Sequence, residues 1–373
     1  MTTILVEPNP FGHRFQAVAD VAAVARRSGE VILLTSAGAK DTEWFASFIA
    51  GEPIQVIERY ESVYPPTREM ARGIAEVCRG VGAATVVVMD ADESLKRWWY
   101  AAAQEFRGLP KRPRVVFMLT RYIARLELSD LAGWKLRTSK AVLALLAMLT
   151  RTLHRAAGFA GRDDFSTGWI VKRLRDPAVN TAHSRDRAEL RRKLDLPADR
   201  RIVGIIGAID ARKSVPLLYE ATVASGDDAD LLIAGAVSDD VAEWLAARTP
   251  EQLQRLILRC RHLDNDELDQ LVAACDVVSV VQLNKGPSGI MGKALTAGVP
   301  VVSAGSKVRA RELSVTDGGL ATGMTAPEVS AGLRELYTWE PGRVGTDGLP
   351  PATAETFAET LLGVHRDGRL PGS

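Results

Sequence analysis

Short apolar runs alternate with stretches of helical spacing along the first half of the chain. Runs that are apolar along their whole length are typical of parallel strands covered on both faces. The predicted strands are Thr3–Glu7, Val31–Thr35, Ile54–Ile57, Thr85–Met89, Arg114–Leu119 and Phe165–Val171, and the predicted helices are Phe15–Arg27, Thr67–Arg79, Ser94–Phe106 and Lys140–Ala157. This alternation predicts a doubly wound α/β domain with a parallel sheet.

A second β/α series follows a polar connection that runs from Asp176 to Asp199. Its predicted strands are Ile202–Ile206, Asp230–Ala234, Leu256–Cys260, Val277–Val281 and Pro300–Ser303, and its predicted helices are Arg187–Leu194, Val215–Val223, Asp239–Ala247, Asp266–Ala274 and Ser288–Ala297. We therefore expect two Rossmann-like domains, 1–185 and 186–350, facing each other across a cleft, and a last helix in 351–373 that packs back towards the first domain.

The composition is that of a globular protein. At 373 residues, with 46% hydrophobic and 25% charged residues, the chain is long enough for two cores. Its longest apolar run, Ala141–Leu149, is far shorter than the roughly 20 residues of a transmembrane helix. The N-terminus lacks a signal-peptide pattern, so we expect a cytoplasmic protein. Three Cys and five His show no disulfide or metal-binding spacing, so no metal is expected.

Charge is unevenly distributed although the net charge is only +1. Thirteen Lys or Arg and three acidic residues lie between Leu95 and Arg155, a net charge of +10. This basic region, 96–155, has three interpretations: a solvated helix surface, a site for an anionic acceptor, or a peripheral contact with the inner face of an anionic membrane. No nucleic-acid partner is expected.

Two loops of the second domain carry candidate phosphate contacts. Arg212 and Lys213 follow the predicted strand Ile202–Ile206 at the start of a helix, where a lysine can contact a phosphate and the helix dipole adds to the attraction. The alternative is a solvated pair of cations, which is disfavoured because cations at a helix N-terminus oppose the dipole. Ser288 and Gly289 begin another helix, whose free N–H groups suit a diphosphate even where Ser288 also caps the helix. A GxGxxG fingerprint is absent, which disfavours dinucleotide binding.

His262 lies in the loop after the predicted strand Leu256–Cys260. In a doubly wound domain this loop lies beside the two loops just described, so His262 is a candidate contact to a nucleotide base. The alternative is a surface or core histidine without a ligand.

The order of motifs in residues 187–312 resembles the donor domain of GT-B glycosyltransferases, particularly their retaining, nucleotide-sugar-dependent branch (families 4 and 1). The motifs are Gly207-x-x-Asp210-x-Arg212-Lys213, Leu-Leu-Ile-Ala-Gly, Asp-x-x-Glu-Leu, Ala-Cys-Asp-Val-Val, Ser288-Gly289-Ile290 and Ala-Gly-Val-Pro-Val-Val. The resemblance implies sugar transfer from a nucleoside-diphosphate sugar, without metal or other cofactor, to a hydroxyl acceptor bound by the first domain. It also implies diphosphate contacts from Lys213, Ser288, Gly289 and Ile290. The basic region 96–155 adds the hypothesis that this acceptor is lipid-linked or anionic.

Three positions depart from that branch. It has Arg directly after the glycine of the first strand, where this chain has Ala208, and two Glu eight positions apart, where this chain has Lys285 and Lys293. A lysine cannot accept a hydrogen bond from a ribose hydroxyl. We favour the interpretation that Lys285 and Lys293 contact the diphosphate in place of the missing Arg. The alternatives are a different headgroup and lost donor binding.

Gly12 and His13 follow the first strand of the first domain. Inverting GT-B enzymes have a similar Gly-His that supplies the general base, so the resemblance implies a catalytic His13, with Gly12 at the donor. Asp90 is the candidate partner that orients His13, because its strand, Thr85–Met89, is expected to lie close to the first strand in the sheet. The alternative is that His13 caps its helix or binds phosphate. The stereochemical course stays open.

Glycosyl transfer is therefore the function that the sequence favours. A non-catalytic GT-B-like partner protein would explain Ala208, Lys285 and Lys293 as lost donor contacts. A nucleotide-sugar epimerase of GT-B shape is the third hypothesis, and it requires further acidic residues.

Overall fold

The structure, a computed structural model, describes residues 2–12, 14–82, 85–122, 126, 128, 130–164, 166–340, 342–345, 349 and 352–364. The chain divides into two compact domains. The first comprises 1–160, 164–175 and 353–373, and the second comprises 161–163 and 176–352. The main crossing thus lies between Arg175 and Asp176, whereas the sequence placed it after residue 185.

The first domain is a parallel sheet with helices on both faces. Its strands are β1 (Thr3–Val6), β2 (Val31–Ser36), β3 (Gln55–Tyr60), β4 (Thr85–Val88), β5 (Arg114–Leu119), β6 (Arg155–Ala160) and β7 (Val171–Arg175). Its helices are α1 (Arg14–Ala25), α2 (Glu43–Phe48), α3 (Thr67–Val81), α4 (Leu95–Glu105), α5 (Leu131–Leu149) and, from the end of the chain, α14 (Ala354–Leu362). The strand order among the described residues is β3-β2-β1-β4-β5-β6-β7.

Alternate side chains of these apolar strands enter two different cores, as expected for a sheet buried on both faces. Ile4 and Val6 of β1 face a core built with α3, α4 and α5, and Leu5 faces the core built with α1 and α14. The doubly wound arrangement that the sequence predicted is confirmed for this domain.

The second domain has the same architecture. Its strands are β8 (Arg201–Ile206), β9 (Ala229–Ala234), β10 (Leu256–Arg259), β11 (Val277–Val281), β12 (Val301–Ala304) and β13 (Gly319–Thr322). Its helices are α6 (Arg187–Lys193), α7 (Val215–Ser225), α8 (Asp239–Ala246), α9 (Pro250–Leu253), α10 (Asn265–Ala274), α11 (Gly289–Thr296), α12 (Lys307–Thr316) and α13 (Ala326–Leu336). The strand order among the described residues is β10-β9-β8-β11-β12-β13, with every pair parallel.

The order of each sheet reverses at one point, between β1 and β4 in the first domain and between β8 and β11 in the second. At such a point the loops at the carboxyl ends of two adjacent strands diverge to opposite faces of the sheet, and open α/β sheets bind ligands there. The loops that carry Lys213 and Ser288 follow β8 and β11. The sheet order therefore places them beside each other.

Two expectations near residue 150 were wrong. The sequence predicted a helix at Lys140–Ala157 and a strand at Phe165–Val171, but the structure has α5 followed by β6 and then β7. The alanine-rich segment of β6 has high helix propensity, yet it pairs with β5 and β7 and buries its alanines. Tertiary pairing thus overrides local preference in this segment.

Helix α14 completes the first domain although it is the last helix of the chain. Phe357 and Leu361 are buried against α1, and the ring of Phe357 stacks on that of Phe159. Arg155 and Arg114 donate hydrogen bonds to the carbonyls of Thr360 and Leu362, which satisfies two acceptors at the end of the helix. In the described part of the chain, no helix is both long and apolar enough to cross a bilayer.

Candidate functional site

A small cavity marks the carboxyl ends of β8 and β11 in the second domain. Its lining residues are Ile205, Ile206, Lys213, Ser279, Val280, Val281, Gln282, Ser288 and Ile290. Three residues that the sequence singled out, Lys213, Ser288 and Ile290, therefore come together. The cavity volume is about 20 Å³, which accommodates about one water molecule, so the cavity marks where side chains converge and is smaller than a nucleotide.

Backbone geometry after β8 brings Lys213 to this place. Gly207 has a φ of 97°, a left-handed value that favours glycine, and its α-carbon lies close to the loop of Gly235. The next turn, Ala211–Lys213, is capped by Asp210, whose carboxylate accepts the Arg212 N–H at 3.0 Å. The chain thus turns sharply and directs Lys213 back over the strand.

The Lys213 ammonium is held at the end of β8. Its Nζ donates to the Ile206 carbonyl at 2.6 Å, which uses one of three N–H donors. Burial lowers the pKa of Lys213 to about 8, although Asp210 acts in the opposite direction. Arg212, in contrast, is exposed and makes a salt bridge to Asp210. Lys213 therefore contacts the cavity, whereas the Arg212 guanidinium has a local partner.

Helix α11 directs its N-terminus at the same cavity. Ser288 is the N-cap residue, and its hydroxyl accepts the Met291 N–H at 3.4 Å. The amides of Gly289 and Ile290 belong to the first turn, which contains no acidic residue. A helix start with free N–H groups and a positive dipole end attracts anions. Ammonium and amides together make this place electropositive.

Sequence reasoning missed two residues here. Ser279 of β11 lines the cavity, and its buried hydroxyl has no hydrogen-bond partner in the described structure. A serine that interrupts the apolar run Val277–Val281 was the available signal. Arg162, buried after β6, donates to the Ser288 carbonyl at 3.1 Å and to Glu312 Oε1 at 2.9 Å. No periodic or motif signal indicates Arg162, because its partners are distant in sequence.

The two replacement lysines differ in their surroundings. Lys293 Nζ contacts the buried Asp269 carboxylate at 2.6 Å and the Val179 carbonyl at 3.2 Å. This ammonium connects α11 to α10 through Asp269, and a diphosphate contact from Lys293 stays a prediction. Lys285 lies in the exposed loop before α11, and its carbonyl accepts the Ser306 hydroxyl at 2.6 Å.

His262 follows β10, the edge strand of the sheet, and does not line the cavity at Lys213. Its carbonyl accepts a hydrogen bond from Arg261 at 3.1 Å. Since β9 lies between β10 and β8, the loop of His262 is one strand farther from Lys213 than the sequence argument assumed.

The corresponding edge of the first domain carries a charged cluster. Arg14, at the start of α1, lies 2.7 Å from Asp90 and 3.4 Å from the buried Glu7. Burial raises the pKa of Glu7 to about 7, against the opposing effect of Arg14. Asp90 also accepts the Thr120 hydroxyl at 3.2 Å. Gly12 precedes α1 with a φ of 74°.

His13 lies outside the described residues, so the predicted His13–Asp90 pair stays a prediction. The Asp90 partners that the structure does describe are Arg14 and Thr120. The neighbouring Asp92 forms a buried ion pair with Lys140. Burial acts to raise the pKa of Asp92, but Lys140 holds it below the ordinary value. Within the described ranges, no group of His, Cys, Asp and Glu residues is arranged to hold a metal ion.

No model of a protein family matches this sequence, and no curated protein is significantly similar to it. Solved structures are similar along nearly the whole chain. HepE from Anabaena in complex with UDP has a TM-score of 0.63 at 15% identity, covering 97% of this chain and 95% of HepE. A glycosyltransferase from Rickettsia africae has a TM-score of 0.63 at 12% identity, covering 97% and 93%.

A putative UDP-N-acetylglucosamine 2-epimerase from Listeria monocytogenes is also similar, with a TM-score of 0.55 at 13% identity, covering 96% of this chain and 93% of the epimerase. Identities this low establish a shared architecture rather than a shared reaction. The two parallel-sheet domains, their reversal points and these similarities together show that the chain has the GT-B fold of glycosyltransferases.

Proposed function

We propose that this protein transfers a sugar from a nucleoside-diphosphate sugar to a hydroxyl group of an acceptor. The observation that carries the proposal is the convergence of Lys213, the Ser288 N-cap and the first amides of α11 on one place beside two adjacent strand ends. The similar structure of HepE contains UDP, which supports a nucleotide ligand.

The proposed chemistry follows from the charge of the leaving group. Cleavage of the sugar–phosphate bond develops negative charge on the diphosphate, and preorganised donors aimed at that charge lower the barrier. The Lys213 ammonium and the amides of Gly289 and Ile290 are such donors. Lys285 lies in the same loop and is the proposed additional cation. These groups need no metal to carry out this stabilisation.

The same proposal includes three further parts. His13 is the catalytic base and is oriented by Asp90, Gly12 and His262 contact the donor, and the first domain binds a lipid-linked or anionic acceptor. Arg14 lies 2.7 Å from Asp90 and fixes the position of this carboxylate at the start of α1, where it can accept a hydrogen bond from a neighbouring imidazole.

Thermal unfolding with millimolar UDP, GDP, ADP or TDP tests the donor site, since a ligand that binds only the folded state raises its stability. We expect one nucleotide to raise the midpoint, and Lys213→Ala and Ser288→Ala to reduce that shift. Lys193→Ala, an exposed lysine on α6 of the same domain, is the matched control and should retain it. No shift with any nucleotide would favour the non-catalytic partner protein.

The similarity to an epimerase makes isomerisation the second candidate. Incubation with a sugar nucleotide that contains the nucleotide found by thermal unfolding distinguishes the two reactions. A transferase releases nucleoside diphosphate in proportion to added acceptor, whereas an epimerase converts one sugar nucleotide into another without acceptor. Chromatography of the nucleotides before and after incubation measures both products.

A further inference from the structure

Helix α5 of the first domain exposes its large apolar residues and buries its small ones. Its buried residues are Gly133, Lys140, Ala144 and Ala147. Large apolar residues on its exposed positions are Leu131, Trp134, Leu136, Val142, Leu145, Leu146 and Leu149, and Leu131 and Leu149 are 79% and 71% exposed. Scattered exposed leucines are ordinary in soluble proteins, but seven large apolar side chains on one helix are a concentrated patch.

Most of these residues form one stripe. Leu131, Trp134, Val142, Leu145 and Leu149, with Thr138 between them, follow each other at steps of three or four residues, the spacing of a single helix face. At 100° per residue this face lies opposite the buried residues. The stripe runs the full length of the 19-residue helix, roughly 28 Å at 1.5 Å per residue.

Two basic residues, Lys135 and Arg137, lie near the N-terminal half of the stripe, and α5 contains no acidic residue. Lys135 is exposed beside it, and the Arg137 guanidinium lies 5.5 Å from the Trp134 ring. The neighbouring helix α4 packs on the same core and exposes Lys96, Trp99 and Tyr100 at helical spacing. We name these exposed apolar and basic residues of two helices in contact the α4–α5 surface.

We propose that the α4–α5 surface docks on an anionic lipid bilayer, with the stripe of α5 entering the boundary between headgroups and acyl chains. A helix with Leu and Trp on one face and Lys or Arg at its edges lies in the plane of such an interface. A second copy of the chain fits less well, because a symmetric dimer would bring the same positive charges against each other. The proposal does not depend on the donor site.

Flotation of the full-length protein with phosphatidylcholine vesicles, alone or with phosphatidylglycerol, tests it. We expect the protein to bind the anionic vesicles, and we expect this binding to weaken in 0.5 M salt. Salt at this concentration shortens the screening length to roughly 3–10 Å and so reduces the attraction between the basic residues and the lipid headgroups. Leu145→Gln/Leu149→Gln should weaken binding at least about tenfold, because two partly inserted leucines are lost. Leu253→Gln/Leu258→Gln, two exposed leucines of the second domain, is the matched control and should bind like the wild type.

Trp134→Phe supplies an independent readout. Insertion places the indole in an apolar environment, so the blue shift of tryptophan emission on anionic vesicles should be smaller in this variant. Circular dichroism and the thermal unfolding midpoint without nucleotide confirm that each variant is folded, and neither measurement depends on the donor site.

Three results would overturn the proposal. They are no binding to anionic vesicles, equal binding to neutral vesicles, and a stable dimer in solution that Leu145→Gln/Leu149→Gln dissociates. The last result would assign the surface to a second copy of the chain.

Discussion

At the scale of single residues, burial has moved two proton equilibria towards neutral pH. Lys213 and Glu7 each lie at the carboxyl edge of a sheet, one in each domain. Burial disfavours the charged form of both, so the pKa of the lysine falls to about 8 and that of the glutamate rises to about 7. Both shifts predict a pH dependence with a definite sign.

Nucleotide affinity should decrease above pH 8. A diphosphate binds the protonated Lys213, and the protonated fraction of the free protein falls about tenfold per pH unit above its pKa. We expect Kd to rise by about tenfold between pH 8 and pH 9.5, measured by titration calorimetry. Lys213→Arg should give a flat profile because arginine stays charged. A wild-type Kd that is constant from pH 7 to 9.5 would contradict the role of Lys213.

The first domain should lose stability as pH rises from about 4.5 to about 7. Folded Glu7 retains its proton up to about pH 7, whereas unfolded glutamate releases it near 4.5, so the folded state binds more protons in this window. The loss is at most about 3 kcal/mol. Glu7→Gln should therefore gain stability relative to the wild type between pH 5 and pH 8 in calorimetric scans, and the exposed control Glu30→Gln should not.

At the scale of elements, the position of helix α11 depends on a buried arginine. Arg162 donates to the Ser288 carbonyl, to Asp176 and to Glu312, and its side chain is 1% exposed. The guanidinium fits only because Gly292 has no side chain: a Cβ there would lie 2.6 Å from Arg162 Cζ and 2.8 Å from Ala178 Cβ. The hydrogen bond from Arg162 to the Ser288 carbonyl thus holds the start of α11 in place.

Gly292→Ala should destabilise the second domain by about 1–3 kcal/mol, although alanine is the better helix former, because the new methyl group displaces Arg162. Displacement of Arg162 also shifts Ser288, so nucleotide binding should weaken. Gly80→Ala in α3 is the matched control: its Cβ meets nothing within 4 Å, and stability should rise by about 0.5–1 kcal/mol. Equal effects of both substitutions on the unfolding midpoint would contradict this account.

At the scale of the whole molecule, the chain builds its first domain from both ends. Helix α14 returns to that domain after the second domain is complete, and it contributes Phe357, Leu361 and Leu362 to the core around α1. The chain crosses between the domains four times. Each domain nevertheless has its own hydrophobic cores, so we expect a separate unfolding transition for each.

Phe357→Ala should lower the unfolding midpoint of the first domain, with a loss of about 3–5 kcal/mol for a buried phenylalanine. Most of the nucleotide-induced shift should persist, because the proposed diphosphate contacts of Lys213 and Ser288 lie in the second domain. Differential scanning calorimetry with and without nucleotide measures both effects. If Phe357→Ala abolished nucleotide binding as well as destabilising the first domain, the two cores would not be independent.

Much of the fold could be predicted from the sequence because short apolar runs between stretches of helical spacing indicate strands, whichever strands they pair with. The strands β1 to β5 and β8 to β12 follow this signal to within a few residues. It failed for β6, where small helix-forming residues lie in a strand that neighbouring strands specify. The strand β13, Gly-Leu-Ala-Thr, is short and partly exposed and contains no apolar run, so this signal did not predict it.

The candidate site divides in the same way. Local sequence determined that Lys213 follows a strand, that Ser288 begins a helix, and that Lys285 and Lys293 replace acidic residues, because each of these facts depends on neighbours in the chain. Only the tertiary structure decided that Lys293 binds Asp269, that Arg162 supports Ser288, and that α5 exposes its leucines. These contacts join residues far apart in sequence, and their energies depend on burial and distance, which no local pattern contains.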